Sequence, residues 1–154
     1  MKGNQEEVKR IYLDNCCLNR PFDDQTQDRI RMETEAIITI YSKILSNTFI
    51  LVSSEAIEIE ISCIPDQDRK EQISTILKIA RVRVNFDEKV KVTANKFEKA
   101  GIYAYDALHI ACALKGDVDV LFTTDDELIK NYNKLKVKTK MKVMNPLKWI
   151  MEVF

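Results

Sequence analysis

Residues 101–129, GIYAYDALHIACALKGDVDVLFTTDDELI, decide the fold. Gly101 stands where a left-handed helix end favours a residue without a Cβ. Residues 105–115 carry Ala107, Leu108, Ile110, Ala111, Ala113 and Leu114, which predicts an apolar helix closed by Gly116. Val118–Phe122 then reads as a strand. A buried helix feeding a buried strand is the crossover half of a parallel sheet. The same stretch places the carboxylate of Asp106 at the start of the helix. It also places Thr123, Thr124, Asp125 and Asp126 just beyond the strand, where open parallel sheets form their sites.

Working outward, the remaining elements follow from periodicity and caps. Ile11–Leu13 is a short apolar strand ending at Asp14, followed by an irregular loop, Asn15–Asp24. Residues 28–46 have helical apolar spacing, and Phe49–Val52 is a second buried strand. Ser53 and Ser54 supply an N-cap for a helix over 55–64 that stops at Pro65. Asp66 caps the next helix, with Ile73, Ile76, Leu77 and Ala80 as its core face. Val82, Val84 and Phe86 alternate as a half-exposed strand, and Asp87 caps a helix using Val90, Ala94 and Phe97. A short helix starts at Asp125. Leu135, Val137, Thr139, Met141 and Val143 alternate with five lysines from Lys134 to Lys142, which predicts an exposed edge strand guarded by charge. A terminal helix starts at Leu147. The expectation is one α/β domain over residues 1–154, with a mainly parallel sheet and helices on both faces.

Composition narrows the function classes. The chain has 154 residues, with 24 Lys+Arg against 24 Asp+Glu, so a uniformly basic nucleic-acid binder is excluded. The charge is uneven: seven lysines and no acid separate Glu127 from Glu152, while acids crowd residues 23–35 and 55–60. No apolar run approaches the ~20 residues of a membrane span, and MKGNQEEVKR does not read as a secretory leader. Four cysteines without a CxxC, beside a single histidine, argue against a disulfide framework or a structural zinc site. A reducing cytosol is the simplest compartment.

Carboxylates at several strand and helix ends, with neither His nor Cys dominating, form a hard donor set. Such oxygen ligands suit Mg²⁺ or Mn²⁺ rather than Zn²⁺. A cluster of this kind suits phosphodiester hydrolysis, in which two metals would sit ~3.5–4 Å apart. Each acid also has a plainer reading, because Asp at a strand-to-helix junction is often only an N-cap. Asp14 is hardest to dismiss in this way. Asp106 can simply cap its helix, and of Asp125 and Asp126 one reads as a cap and one as a ligand. Glu58 reads as solvated, His109 as a packed or supporting histidine, and Cys16-Cys17 as small-residue packing. The lysine run reads as a solvated edge, or as an RNA-facing rim.

At these residues the chain resembles a family. IYLDNCCLNRPFDD, LVSSEAIEIEI, GIYAYDALHIACAL and VLFTTDDELI are similar, in order and spacing, to the four acidic blocks of PIN-domain proteins. The resemblance covers roughly residues 10–150. It implies a three-layer fold with five strands in the order 3-2-1-4-5, and Mg²⁺- or Mn²⁺-dependent endoribonuclease activity in the cytoplasm, with water as the nucleophile. Many small members are VapC-type toxins, which implies an antitoxin protein and a homodimer as partners. Residue by residue, the resemblance assigns catalysis and metal binding to Asp14, Glu60, Asp106 and Asp125. Thr123 or Thr124, with Asp126, are accessory. Glu58 can take the place of Glu60, since three glutamates fall within six residues, and Glu33 or Glu35 can add a carboxylate. Arg20, Lys136 and Lys138 are candidates for guiding RNA. Two alternatives stand beside this one. A PIN-like module without catalysis would bind RNA or a protein partner. A haloacid-dehalogenase-like phosphatase would want Asp-x-Asp after the first strand, where this chain has Asp14-Asn15-Cys16.

Overall fold

The computed structural model describes residues 8–153. The segment 1–7, which carries most of the stretch read as unlike a leader, and residue 154 lie outside the described residues. Five strands, β1 (Lys9–Leu13), β2 (Phe49–Ser54), β3 (Val82–Val84), β4 (Val120–Phe122) and β5 (Lys142–Met144), form one sheet in the order β3-β2-β1-β4-β5. Every pairing is parallel. Among the described residues, eight helices connect and cover them: α1 (Asn15–Asn19), α2 (Asp28–Leu45), α3 (Glu55–Ser62), α4 (Gln67–Leu77), α5 (Glu88–Lys99), α6 (Ala104–Lys115), α7 (Asp126–Leu135) and α8 (Pro146–Val153).

Strand alternation builds the layers. The register pairs Ile11 with Leu51 and Val120, and Leu13 with Phe122, so these residues share a face with Phe49. Trp149 of α8 lies over that face, 5.3 Å from the Phe49 ring and 5.8 Å from Phe122. The opposite face carries Tyr12, Val52 and Ser54 and meets α6, where Gly116 leaves no room for a side chain. A Cβ there would lie 2.8 Å from Val52 Cγ1. Tyr12, Ile11, Leu13, Leu121 and Phe122 are all at most 1% exposed, so β1 and β4 run through the centre of the core. The chain steps outward from β1 through β2 to β3, then returns to β4 and β5 on the other side. The reversal lies between β1 and β4, the crevice in which open parallel sheets bind ligands.

Three expectations need correction. The loop 15–24 contains α1 and a 3-10 turn, Arg20–Phe22. Asp14 caps α1 and Pro21 favours the turn, signals that the polar composition of the stretch obscured. The strand expected over 135–143 is only Lys142–Met144. Helix α7 extends through Lys134 and Leu135, and Lys136 turns left-handed at φ 49°, so its lysines alternate across a helix end and a bend. The lysine-rich segment still borders the sheet edge, but Lys136 and Lys138 precede β5. Finally, the strand expected over 118–122 starts at Val120, with Val118 buried ahead of it.

Candidate active site

Asp14 leaves β1 at its carboxyl end, and its backbone N–H donates to the Phe122 carbonyl at 3.2 Å. That bond fixes the ends of β1 and β4 side by side. The Asp14 side chain is 5% exposed and caps α1, its Oδ1 accepting from the Cys17 amide at 3.0 Å. The Cys16 thiol donates to the same carboxylate at 2.9 Å to Oδ1 and 3.1 Å to Oδ2. Burial pushes the Asp14 carboxyl well above the usual carboxylate range, and the neighbouring Cys16 adds to that. The Thr123 hydroxyl and the Cys17 amide act in the opposite direction.

Across the crevice, Thr123 is fully buried, and its Oγ1 accepts from the Asp125 amide at 3.1 Å. Thr124 is buried beside it, its N–H donating to Cys16 Sγ at 3.4 Å. Asp125 caps α7, with Oδ1 accepting from Glu127 N–H at 3.0 Å and Leu128 N–H at 3.3 Å. Asp126 points away, into a two-pronged pair with Arg29 at 2.9 Å for each contact. Of the two adjacent acids, Asp125 is therefore the cap, and among the described residues its Oδ2 accepts no hydrogen bond.

Asp106 does not cap α6, whose N-cap is Tyr103. It sits in the first turn, half-buried, and among the described residues its carboxylate accepts no hydrogen bond. Burial, reinforced by the negative charges of Asp125, Asp14 and Glu60, pushes its carboxyl up to about 6, with His109 opposing. Glu60 is half-buried on α3 and pairs through Oε1 with His109 Nε2. Glu58 faces elsewhere, its two oxygens 2.6 and 2.7 Å from the Arg83 guanidinium. The two positions, about 200° apart on the helix, serve different surroundings.

From three other elements, Asp14, Glu60 and Asp125 thus each act electrostatically on Asp106. No lysine or arginine forms an ion pair with Asp14, Glu60, Asp106 or Asp125 among the described residues. In three of them one oxygen holds the side chain in place while the other is left less engaged. As placed, no three His, Cys, Asp or Glu side chains among the described residues are gathered closely enough to hold an ion. The donor chemistry nevertheless fits a hard divalent cation: oxygen donors, mutual repulsion raising Asp106, and no paired cation to offset it.

Other candidates have other partners. Glu33 is 1% exposed, 3.2 Å from both Arg20 Nε and Arg29 Nε, and Asn145 also donates to it. Glu35 is exposed. Arg20 further pairs with Asp23 at 3.1 Å, so its guanidinium ties the 3-10 turn to α2. Lys136 and Lys138 are exposed, and Lys136, Lys142 and Lys148 line a cavity of about 340 Å³ beside β5. Sequence reasoning missed Tyr12 and Arg29, and gave Ser54 only as an N-cap. A tyrosine inside an apolar strand was the available signal, because a buried phenol needs a hydrogen-bond partner.

The family model described as PIN domain matches residues 11–134. Among solved structures, FitAcB from Neisseria gonorrhoeae superposes with a TM-score of 0.59 at 18% identity, covering 88% of this chain and 97% of that one. VapBC2 from Rickettsia felis, bound to a DNA fragment from their promoter, superposes with a TM-score of 0.53 at 16% identity, covering 88% and 98%. At these identities the likeness is one of fold. No curated protein sequence matches. The family match over residues 11–134 takes in all four acidic blocks, and with the strand order it shows that the chain belongs to the PIN domain family.

Proposed function

We propose that the chain, as one PIN domain over residues 1–154, is a Mg²⁺- or Mn²⁺-dependent endoribonuclease. The observation that supports this reading is that Asp106, beyond the β1/β4 switch point, feels the negative charges of Asp125, Asp14 and Glu60, with no lysine or arginine paired to any of the four among the described residues. These four residues would hold the metal. When bound, the ion lowers the pKa of water and neutralises charge on the scissile phosphate. The chain's own residues prepare the site. Cys17 N–H and Cys16 orient Asp14, the amides of α7 orient Asp125, and His109 orients Glu60. Burial and the carboxylates of Asp125, Asp14 and Glu60 hold the Asp106 carboxyl up at about 6, and a cation held beside it would favour its charged form. Thr123, fully buried, fixes the turn from which Asp125 projects. Water is the nucleophile, and cleavage leaves 5′-phosphate and 3′-hydroxyl ends. Lys136 and Lys138, with the lysine-lined cavity at β5, would contact the RNA backbone electrostatically.

The finer biological reading is a toxin held by an antitoxin, acting in the cytoplasm as a homodimer. The family resemblance and the fold likeness to VapBC2 support it. The deciding experiment incubates purified chain with single-stranded RNA, with and without millimolar Mn²⁺, beside Asp14→Asn. Metal-dependent cleavage that vanishes in Asp14→Asn, while that variant keeps its wild-type melting temperature, is the expected outcome. Cleavage by Asp14→Asn equal to wild type overturns the site. RNA or protein binding with no cleavage and no Mn²⁺ uptake by the wild-type chain replaces the enzyme with a binding module.

A further inference from the structure

The chain has one histidine, and it is buried at 3% exposure. His109 lies on α6 three residues after Asp106, on the same helical face. Its two ring nitrogens are used differently. Nε2 meets Glu60 Oε1 at the edge of the acidic crevice. Nδ1 meets the Tyr12 hydroxyl at 2.7 Å, and that hydroxyl also meets Ser54 Oγ at 2.7 Å. Ser54 Oγ in turn accepts from Ile57 N–H at 3.2 Å, one turn before Glu60 on α3. Tyr12 and Ser54 are both 0% exposed, and the Tyr12 and His109 rings pack edge-on at 5.7 Å. The chain of contacts therefore runs from β2 through β1 and α6 back to α3.

One direction follows if His109 donates from Nε2 to the Glu60 carboxylate and leaves Nδ1 to accept. With Ile57 N–H donating to Ser54, the Ser54 hydroxyl is free to donate to Tyr12. Tyr12 then donates to Nδ1, and Nε2–H donates to Glu60. Every donor in this arrangement has an acceptor, as buried polar groups require. The tautomer of a histidine is set by the bond its other nitrogen makes.

We infer that His109, fixed by Tyr12 and Ser54, is a positioning residue that holds Glu60 by one oxygen and turns the other toward the cation site. The inference rests on the nuclease reading for its consequence, but not for its geometry. A histidine that only filled the core would not direct a ring nitrogen onto a half-buried carboxylate that, with Asp14 and Asp125, raises Asp106. Removing a partner that orients a ligand typically costs about 10–100-fold in metal affinity or activity.

The test starts with the imidazole itself. Because His109 is the sole histidine, the long-range ¹H–¹⁵N spectrum of the metal-free wild-type chain reports it without ambiguity. A single tautomer protonated at Nε2 is expected, with tautomer averaging on Tyr12→Phe. A ring protonated only at Nδ1, or averaging in wild type, overturns the inference. Mn²⁺ calorimetry and RNA cleavage follow. His109→Leu should weaken Mn²⁺ binding about tenfold or more and lower kcat at unchanged KM for RNA. His109→Gln, which keeps a donor near the Nε2 position, should recover most of both. Unchanged Mn²⁺ affinity in His109→Leu, or equal loss in the Gln variant with a wild-type melting temperature, overturns the positioning role. A wild-type chain that takes up no Mn²⁺ and cuts no RNA overturns the nuclease reading instead, and the tautomer still decides whether His109 holds Glu60.

Discussion

At the scale of the residue, Glu58 and Glu60 show how neighbours in sequence come to differ in role. Glu58 is exposed and paired with Arg83, and such a surface pair contributes at most about 1 kcal/mol. Glu58→Gln should therefore leave cleavage within about threefold of wild type, at the small stability cost of an exposed pair. Glu60→Gln should lose Mn²⁺ affinity and activity together. Calorimetry and cleavage rates on the two variants check this, and an inactive Glu58→Gln would shift the second acid by two residues. Asp106 makes a pH prediction. Its folded carboxyl is raised to about 6, above the unfolded value, so the folded state binds more protons between about pH 4 and 6. The contribution is favourable below the unfolded pKa and is lost as pH rises through that window. The raised Asp14 has the same sign. Metal-free chain should thus lose melting temperature from pH 4 to 6, and Asp106→Asn should flatten the slope. An equal slope in that variant refutes the assignment.

At the scale of the element, α2 is anchored by one buried carboxylate. Glu33 binds Arg20 of the 3-10 turn and Arg29 on its own helix, and accepts from Asn145 ahead of α8. Arg29 continues to Asp126 and to the Thr124 carbonyl at 3.3 Å, which ties α2 to the turn behind the crevice. Removing one partner of a buried charged set typically costs about 3–5 kcal/mol, because the charge left behind is uncompensated. Since Arg29 is itself half-exposed, Glu33→Ala should fall toward the lower end, about 3 kcal/mol in urea unfolding. Replacement of both Glu33 and Arg20 by apolar residues should recover part of that loss. A Glu33→Ala chain as stable as wild type would mean the cluster is solvated.

At the scale of the whole molecule, the crevice exists only in the folded sheet, so a cation that binds there stabilises the fold by mass action. At about 100 times Kd the gain is about 2.7 kcal/mol, several degrees in Tm for a chain of this size. A melting temperature unmoved by millimolar Mn²⁺ would count against the site. Much of this was legible in the sequence. Apolar periodicity, caps such as Ser54, Asp66 and Asp87, and the Gly101 stop (φ 106°) act over a few residues. They give the α/β order and put Asp14, Asp106 and Asp125 at element ends. The lysine-rich stretch was misread because alternation across a helix end and a left-handed turn imitates a strand. What the sequence could not settle was where side chains point. Glu60 turns to His109, 49 residues away, and Glu58 to Arg83, 25 away, while Tyr12 reaches His109 across 97. The sequence determined the elements and the acids at their ends, because those preferences are local. Only the tertiary structure decided which carboxylates act on Asp106 and what partner Glu60 meets, because those relations depend on elements distant in sequence lying side by side.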